Sequence, residues 1–148
     1  MTGYEIKFHS ERCVGCQACV AACMEEKDTS PEAGEQPLCR ILEQENENGQ
    51  HLLSWRRESC RHCSNPACVK ICPAGGFQKE EETGFVLYDK TSCIACGQCM
   101  EVCEEHAISF DREQVIQKCD GCREQVLAGR VPACVSVCPW GALEFIRN

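Results

Sequence analysis

Sixteen cysteines stand in four short groups, and the spacing inside each group restricts what this chain can fold into more than any other feature. The groups are Cys13, Cys16, Cys19 and Cys23; Cys60, Cys63, Cys68 and Cys72; Cys93, Cys96, Cys99 and Cys103; and Cys119, Cys122, Cys134 and Cys138. Cys39 stands apart. With 17 cysteines in 148 residues, little is left for an ordinary core: Leu, Ile, Val and Phe together number 29, and the formal net charge is −8. That composition borders on the disordered class. A compact fold then requires staples, either disulfides or metal.

The spacing favours metal. Groups one and three both read C-x2-C-x2-C-x3-C, the run of bacterial [4Fe–4S] ferredoxins, in which the fourth cysteine serves the other cluster of a pair. Three cysteines two residues apart can wrap one cubane, and a fourth, one helical turn on, points elsewhere. A zinc site needs two C-x-x-C pairs and gains nothing from three cysteines in register. Group two lengthens the middle spacing to four residues and group four to eleven. Pro73 and Pro139 follow the last cysteine of these two groups, whereas Met24 and Glu104 hold that place in groups one and three. No basic segment followed by an apolar one opens the chain, so the expected compartment is the cytoplasm, with co-export beside a signal-bearing partner left open. A reducing compartment also argues for metal over disulfides. The acidic balance argues against nucleic acid, and no apolar stretch is long enough to span a membrane.

Short β-like runs accompany the groups: Tyr4–Phe8, Gly84–Tyr88, Ala107–Phe110 and Ala142–Ile146. Residues after each third cysteine, such as Val20-Ala21-Ala22 and Met100-Glu101-Val102, suit brief helices. Between groups one and two, an acidic stretch with Pro31, Gly34 and Pro37 reads as a surface loop. Arg40–Glu43 and His51–Trp55 then flank Asn46-Glu47-Asn48-Gly49, a hairpin signal.

These residues resemble the ferredoxin-like iron–sulfur subunits, with four clusters, of molybdenum and tungsten oxidoreductases of the dimethyl sulfoxide reductase type. The likeness rests on Cys60–Pro73, on Cys93-Ile94-Ala95-Cys96-Gly97-Gln98-Cys99, on Lys118–Cys122 and on Pro132–Pro139. It implies an α+β fold of two ferredoxin-like units related by a pseudo-two-fold repeat, with an inserted β-ribbon. Residues 1–24 and 111–148 would form one discontinuous unit and residues 58–110 the other, with 25–57 as the insert. The resemblance also implies four [4Fe–4S] clusters with crossed ligands. Cys13, Cys16 and Cys19 would be completed by Cys138, and Cys119, Cys122 and Cys134 by Cys23. Cys60, Cys63 and Cys68 would be completed by Cys103, and Cys93, Cys96 and Cys99 by Cys72. Spacing alone establishes the sets of three; the pairing comes from the resemblance. The implied partners are a catalytic molybdenum- or tungsten-pterin subunit, of the dimethyl sulfoxide reductase or aldehyde oxidoreductase class, and a second redox partner such as a flavin/NAD subunit, a ferredoxin or a hydrogenase. Ten residues follow Cys138, and direct membrane insertion is not expected.

A cluster iron held by thiolate and sulfides has no open position, so the chain reads as a non-catalytic conductor of single electrons. A free polyferredoxin is the nearest alternative, and a zinc-stapled interaction module a remoter one. Four oxidised clusters would add about −8 to the formal charge, so Lys70, Lys79, Lys118 and Arg123 are candidates for tuning potential. Cys39 reads as a buried or inert thiol, with a spare ligand as the alternative. His9, His51, His62 and His106 lack paired ligand spacing, although His62 precedes Cys63. Trp140 reads as a shield over a cluster or as ordinary packing. Glu104-Glu105 and Glu80-Glu81-Glu82 read as solvated carboxylates.

Overall fold

The computed structural model describes residues 3–45 and 53–148. Its strands are short and pair two by two. β1 (Tyr4–Phe8) runs antiparallel to β8 (Leu143–Arg147), with Tyr4 opposite Arg147 and Phe8 opposite Leu143. Tyr4 stacks on Phe145, its diagonal neighbour, with ring centroids 5.0 Å apart. β2 (Cys39–Glu45) pairs with β3 (Leu53–Ser59), Cys39 opposite Ser59 and Glu45 opposite Leu53. The ribbon expected between groups one and two is therefore present, while its expected Asn-Gly turn and His51 lie outside the described residues. β4 (Phe77–Lys79) pairs with β5 (Val86–Tyr88), and β6 (Ser109–Phe110) with β7 (Ile116–Gln117). The expected strands at 84–88 and 107–110 are each shorter than their apolar runs.

The helices are α1 (Ala18–Glu26), α2 (Ala67–Ile71), α3 (Gln98–Val102), α4 (Arg123–Leu127) and α5 (Ala133–Val137). All but α1 have five residues, far below the length at which a helix holds itself in water. Their stability must come from packing: α1 lies against α5, and α2 against α3. Groups one and four thus share one helix pair, and groups two and three the other. α4 had no counterpart in the sequence reading, since Arg123-Glu124-Gln125 offers no apolar stripe. α1 continues two residues past the expected unit boundary at 24, where Lys27 pairs with Asp120 at 2.8 Å. Among the described residues, no helix is long and apolar enough to cross a membrane.

The core is small and rich in sulfur. Phe77, Val86, Cys99, Ile108 and Ile116 form one cluster, flanked by Cys68, Cys72, Cys93 and Cys103; Cys23, Leu38 and Cys39 form another, flanked by Cys19. The segment between α1 and β2 is fastened to the body through Glu35. Its carboxylate accepts from the Ser30 N–H at 2.7 Å, from the Arg112 N–H at 2.8 Å, and from Arg112 Nε and Nη2 at 3.0 and 3.1 Å. The Arg112 guanidinium and those two amides hold its pKa down at about 2. A depressed carboxyl pKa stabilises the fold fully above the ordinary value of about 4.3 and ceases to do so as pH falls through the folded value. Glu35→Gln should therefore lower the thermal midpoint at neutral pH. The gap from the parent should narrow as pH falls from about 5 to about 2, as followed by thermal unfolding.

Candidate metal centres

In all four groups, the residue two places after the first cysteine is in the left-handed conformation: Gly15 (φ 70°), His62 (φ 50°), Ala95 (φ 56°) and Gly121 (φ 73°). That residue turns the chain back over the preceding sulfur. Backbone N–H groups then donate to cysteine sulfur from His62 to Cys60 (3.4 Å), from Ala95 to Cys93 (3.3 Å) and from Gly121 to Cys119 (3.3 Å). A second left-handed residue starts the helix that follows: Gln17 before α1, Gly97 before α3 and Cys122 before α4. Pro66 and Pro132 do the corresponding work before α2 and α5, by holding extended backbone at the N-cap. Beyond the fourth cysteine, Gly76 N–H donates to Cys72 Sγ at 3.2 Å and Ala107 N–H to Cys103 Sγ at 3.5 Å. Donors aimed at sulfur suit thiolate ligands.

The cysteines surround voids. One is lined by Cys23, Cys119, Cys122 and Cys134, with Cys39, Lys27 and Arg57. A second is lined by Cys13, Cys16, Cys19 and Cys138, with Val14 and Trp140. A third is lined by Cys72, Cys93, Cys96 and Cys99, with Ile94 and Phe77. Four grouped sulfurs at each void and amides aimed at sulfur fit the [4Fe–4S] group that the spacing implies. Cys60, Cys68 and Cys103 lie near enough for their charges to bear on one another, and Cys63 is exposed. Cys19 and Cys23 sit four residues apart on α1 and line different voids, as do Cys134 and Cys138 across α5. A rise of about 6 Å per four residues carries the second sulfur of each pair beyond the first void.

Burial pushes Cys99 up to about 11 and Cys134 up to about 12, and raises Cys23, Cys119 and Cys122 as well. Cys39 and Cys138 go the other way. At Cys39 the hydrogen bond with Cys19 outweighs burial and brings it down to about 6. Burial raises Cys138, but the backbone N–H groups of Trp140, Ala142, Leu143 and Gly141 outweigh that and hold it below the usual thiol value.

Other candidates fall into place. Cys39, 1% exposed, lines the same void as Cys23 and Cys134 and hydrogen-bonds with Cys19. Arg57, which the sequence reading missed, enters that void from β3. Its Nη2 is 4.0 Å from Cys134 Sγ, and its buried Nε has no hydrogen-bond partner among the described residues. Nothing in the sequence separates it from the exposed Arg56; only the strand's alternation turns it inward. Lys118 is buried, while Lys70 is exposed. Lys79 Nζ donates to the carbonyls of His62, Cys63 and Gly84. Arg123 pairs with Glu80 at 2.5 Å, so the solvated reading fits Glu81 and Glu82 but not Glu80. Glu105 likewise pairs with Arg61 at 2.9 Å, leaving Glu104 exposed. Trp140 lines its void while 57% exposed. His9 bonds Glu144 at 2.9 Å, and His106 is exposed.

Residues 52–148 match the 4Fe-4S dicluster domain, and residues 10–24 match a 4Fe-4S binding domain. The probable anaerobic dimethyl sulfoxide reductase chain YnfG of Escherichia coli K12 is 39% identical, with 97% of this chain and 73% of that protein covered. The thiosulfate reductase electron transfer subunit PhsB of Salmonella typhi is 38% identical, covering 99% and 78%. The nitrate-inducible formate dehydrogenase iron-sulfur subunit of E. coli K12 is 34% identical, covering 90% and 50%. The chain belongs to the 4Fe-4S dicluster family, as a ferredoxin-type electron-transfer protein of the oxidoreductase-subunit kind that binds [4Fe–4S] clusters.

The group-four loop gives a direct test of this geometry. A Cβ on Gly121 would lie 2.6 Å from the ring of Phe85, which is 0% exposed, and φ there is positive. Gly121→Ala should destabilise by about 2–5 kcal/mol, combining left-handed strain with overpacking. Chemical denaturation of the iron-loaded protein measures it.

Proposed function

We propose that the sixteen grouped cysteines hold four [4Fe–4S] clusters and that the chain relays single electrons as a subunit of a molybdenum- or tungsten-pterin oxidoreductase. The assignment is Cys13, Cys16, Cys19 and Cys138; Cys23, Cys119, Cys122 and Cys134; Cys60, Cys63, Cys68 and Cys103; and Cys72, Cys93, Cys96 and Cys99. The observation that carries it is the lining of three voids, each by four of the grouped cysteines drawn from two sequence groups, with the ungrouped Cys39 beside one of them. Packing of α1 on α5 and of α2 on α3 supports two ferredoxin-like units, residues 1–24 with 111–148 and residues 58–110, related by a pseudo-two-fold repeat around the 25–57 insert. When bound, such clusters accept and release one electron each, at coordinatively closed iron. The protein's part is to hold sixteen thiolates, donate amide hydrogen bonds to them and keep water from the inner sites.

Cys39 and Arg57 lie between the first and second sets, and His62 and Lys118 between the second and third. Cys68, Cys72, Cys99 and Cys103 share one core cluster, joining the third and fourth. A linear order follows, and it suits conduction between two redox centres. Relatives named as chains or subunits of reductases and a dehydrogenase support a catalytic partner at one end. A flavin/NAD subunit, a ferredoxin or a hydrogenase would serve at the other, in a cytoplasmic complex.

Iron, sulfide, molybdenum and tungsten analysis of the anaerobically isolated complex tests this reading. The expected result is about sixteen irons per chain, with molybdenum or tungsten in the partner. Zinc with little iron would overturn it. Cys96→Ala is expected to cost one cluster and to destabilise residues 58–110, since ligation and folding are coupled. A folded variant with an unchanged iron count would refute that assignment.

A further inference from the structure

Lys118 is 1% exposed, and an ammonium buried there is penalised heavily unless something answers it. Its Nζ donates to the carbonyls of Val86 and Cys119, the latter at 2.8 Å, and to Cys60 Sγ at 3.5 Å. Two of these acceptors are neutral. The third, a cysteine sulfur, is the one able to carry negative charge. The Tyr88 ring, with its centroid 5.6 Å away, adds a weaker cation–π contact.

His62 makes the complementary contact. Its backbone N–H donates to Cys60 Sγ, while its ring Nε2 lies 3.8 Å from Cys119 Sγ. Nδ1 accepts the Val86 N–H at 2.9 Å, which leaves the ring proton on Nε2, facing that sulfur. One residue, Val86, therefore fixes both side chains, since its N–H orients His62 and its carbonyl orients Lys118. Val86 is 1% exposed, and β4 occupies only one side of β5, so its free edge is the bracket. Phe85 covers the imidazole at 4.8 Å between ring centroids.

We propose that Lys118 and His62 form a reciprocal bridge that sets the potentials of two neighbouring clusters together, at the step where an electron passes between the ferredoxin-like units. The residue beside Cys119 reaches the sulfur of Cys60, and the residue two after Cys60 reaches the sulfur of Cys119. The ammonium stabilises added electron density on either cluster, and the imidazole N–H does so on the one held by Cys119. Both are positioning residues, since they act through ligand sulfur. The inference rests on the ligand sets proposed above.

The test is a redox titration of the isolated complex followed by electron paramagnetic resonance, with iron counted in every sample. Lys118→Met should lower two of the four midpoint potentials by a shift equivalent to a roughly tenfold weaker reduction, about 59 mV for a one-electron couple. The other two should stay in place. Lys118→Arg, which keeps the charge, should restore both, and His62→Phe should lower one. Full iron with unmoved potentials, or a uniform shift of all four, overturns the bridge alone. An iron-poor parent protein overturns the ligand sets first and the bridge with them. Should Lys118→Met itself lose iron, the His62→Phe titration decides: one lowered potential supports the bridge, and none overturns it.

Discussion

Placing sulfur ligands around a void with so little chain depends on one backbone state, the left-handed residue two places after the first cysteine of each group. A chain that stayed extended there would carry the second cysteine away from the first. Turned back, it encloses the void and points an amide at the sulfur it has just passed. Glycine takes that conformation freely at positions 15 and 121, whereas His62 and Ala95 hold it at a cost. At His62 the compensation is visible in its bond from Val86 and its cover from Phe85. Helix direction follows from the same turns, and with it the delivery of Cys23, Cys72 and Cys138 to voids shared with another group.

Stability and function then draw on the same atoms. The apolar clusters are a few residues each and include the ligands themselves, so the metal-free chain has little to oppose its conformational entropy. Burial favours the protonated form at Cys23, Cys99, Cys119, Cys122 and Cys134, and cluster formation must displace those protons. Loading is therefore both the chemical and the folding event.

Charge imposes the second requirement. The chain is acidic before any cluster is added, and anionic clusters deepen that. Most ion pairs, such as Glu80 with Arg123 and Glu35 with Arg112, tie loops together. Arg57 and Lys118 do something else: Arg57 reaches the sulfur of Cys134 and Lys118 that of Cys60, in cysteine groups other than the nearest in sequence. The ribbon of β2 and β3 is accordingly more than a cover, since it brings Cys39 and Arg57 to the innermost void.

The cofactor class and most strands were legible in the sequence, because C-x2-C-x2-C and runs such as Tyr4–Phe8 report local geometry. The ribbon was legible for the same reason, its apolar runs being separated by turn residues. What the residues alone left open was long-range. The shared lining of one void by Cys23 and Cys134, the inward turn of Arg57 beside an exposed Arg56, and the burial of Lys118 all depend on segments distant in the chain. So does the pairing of Glu80, in a run that reads as solvated. Spacing determines which sulfurs can reach one metal group, since it sets the path of a few bonds. Which groups meet, and which charges lie between them, was decided by the packing of α1 on α5, of α2 on α3 and of β5 against the group-four loop, because burial and Coulomb energy act between surfaces that no short stretch of chain contains.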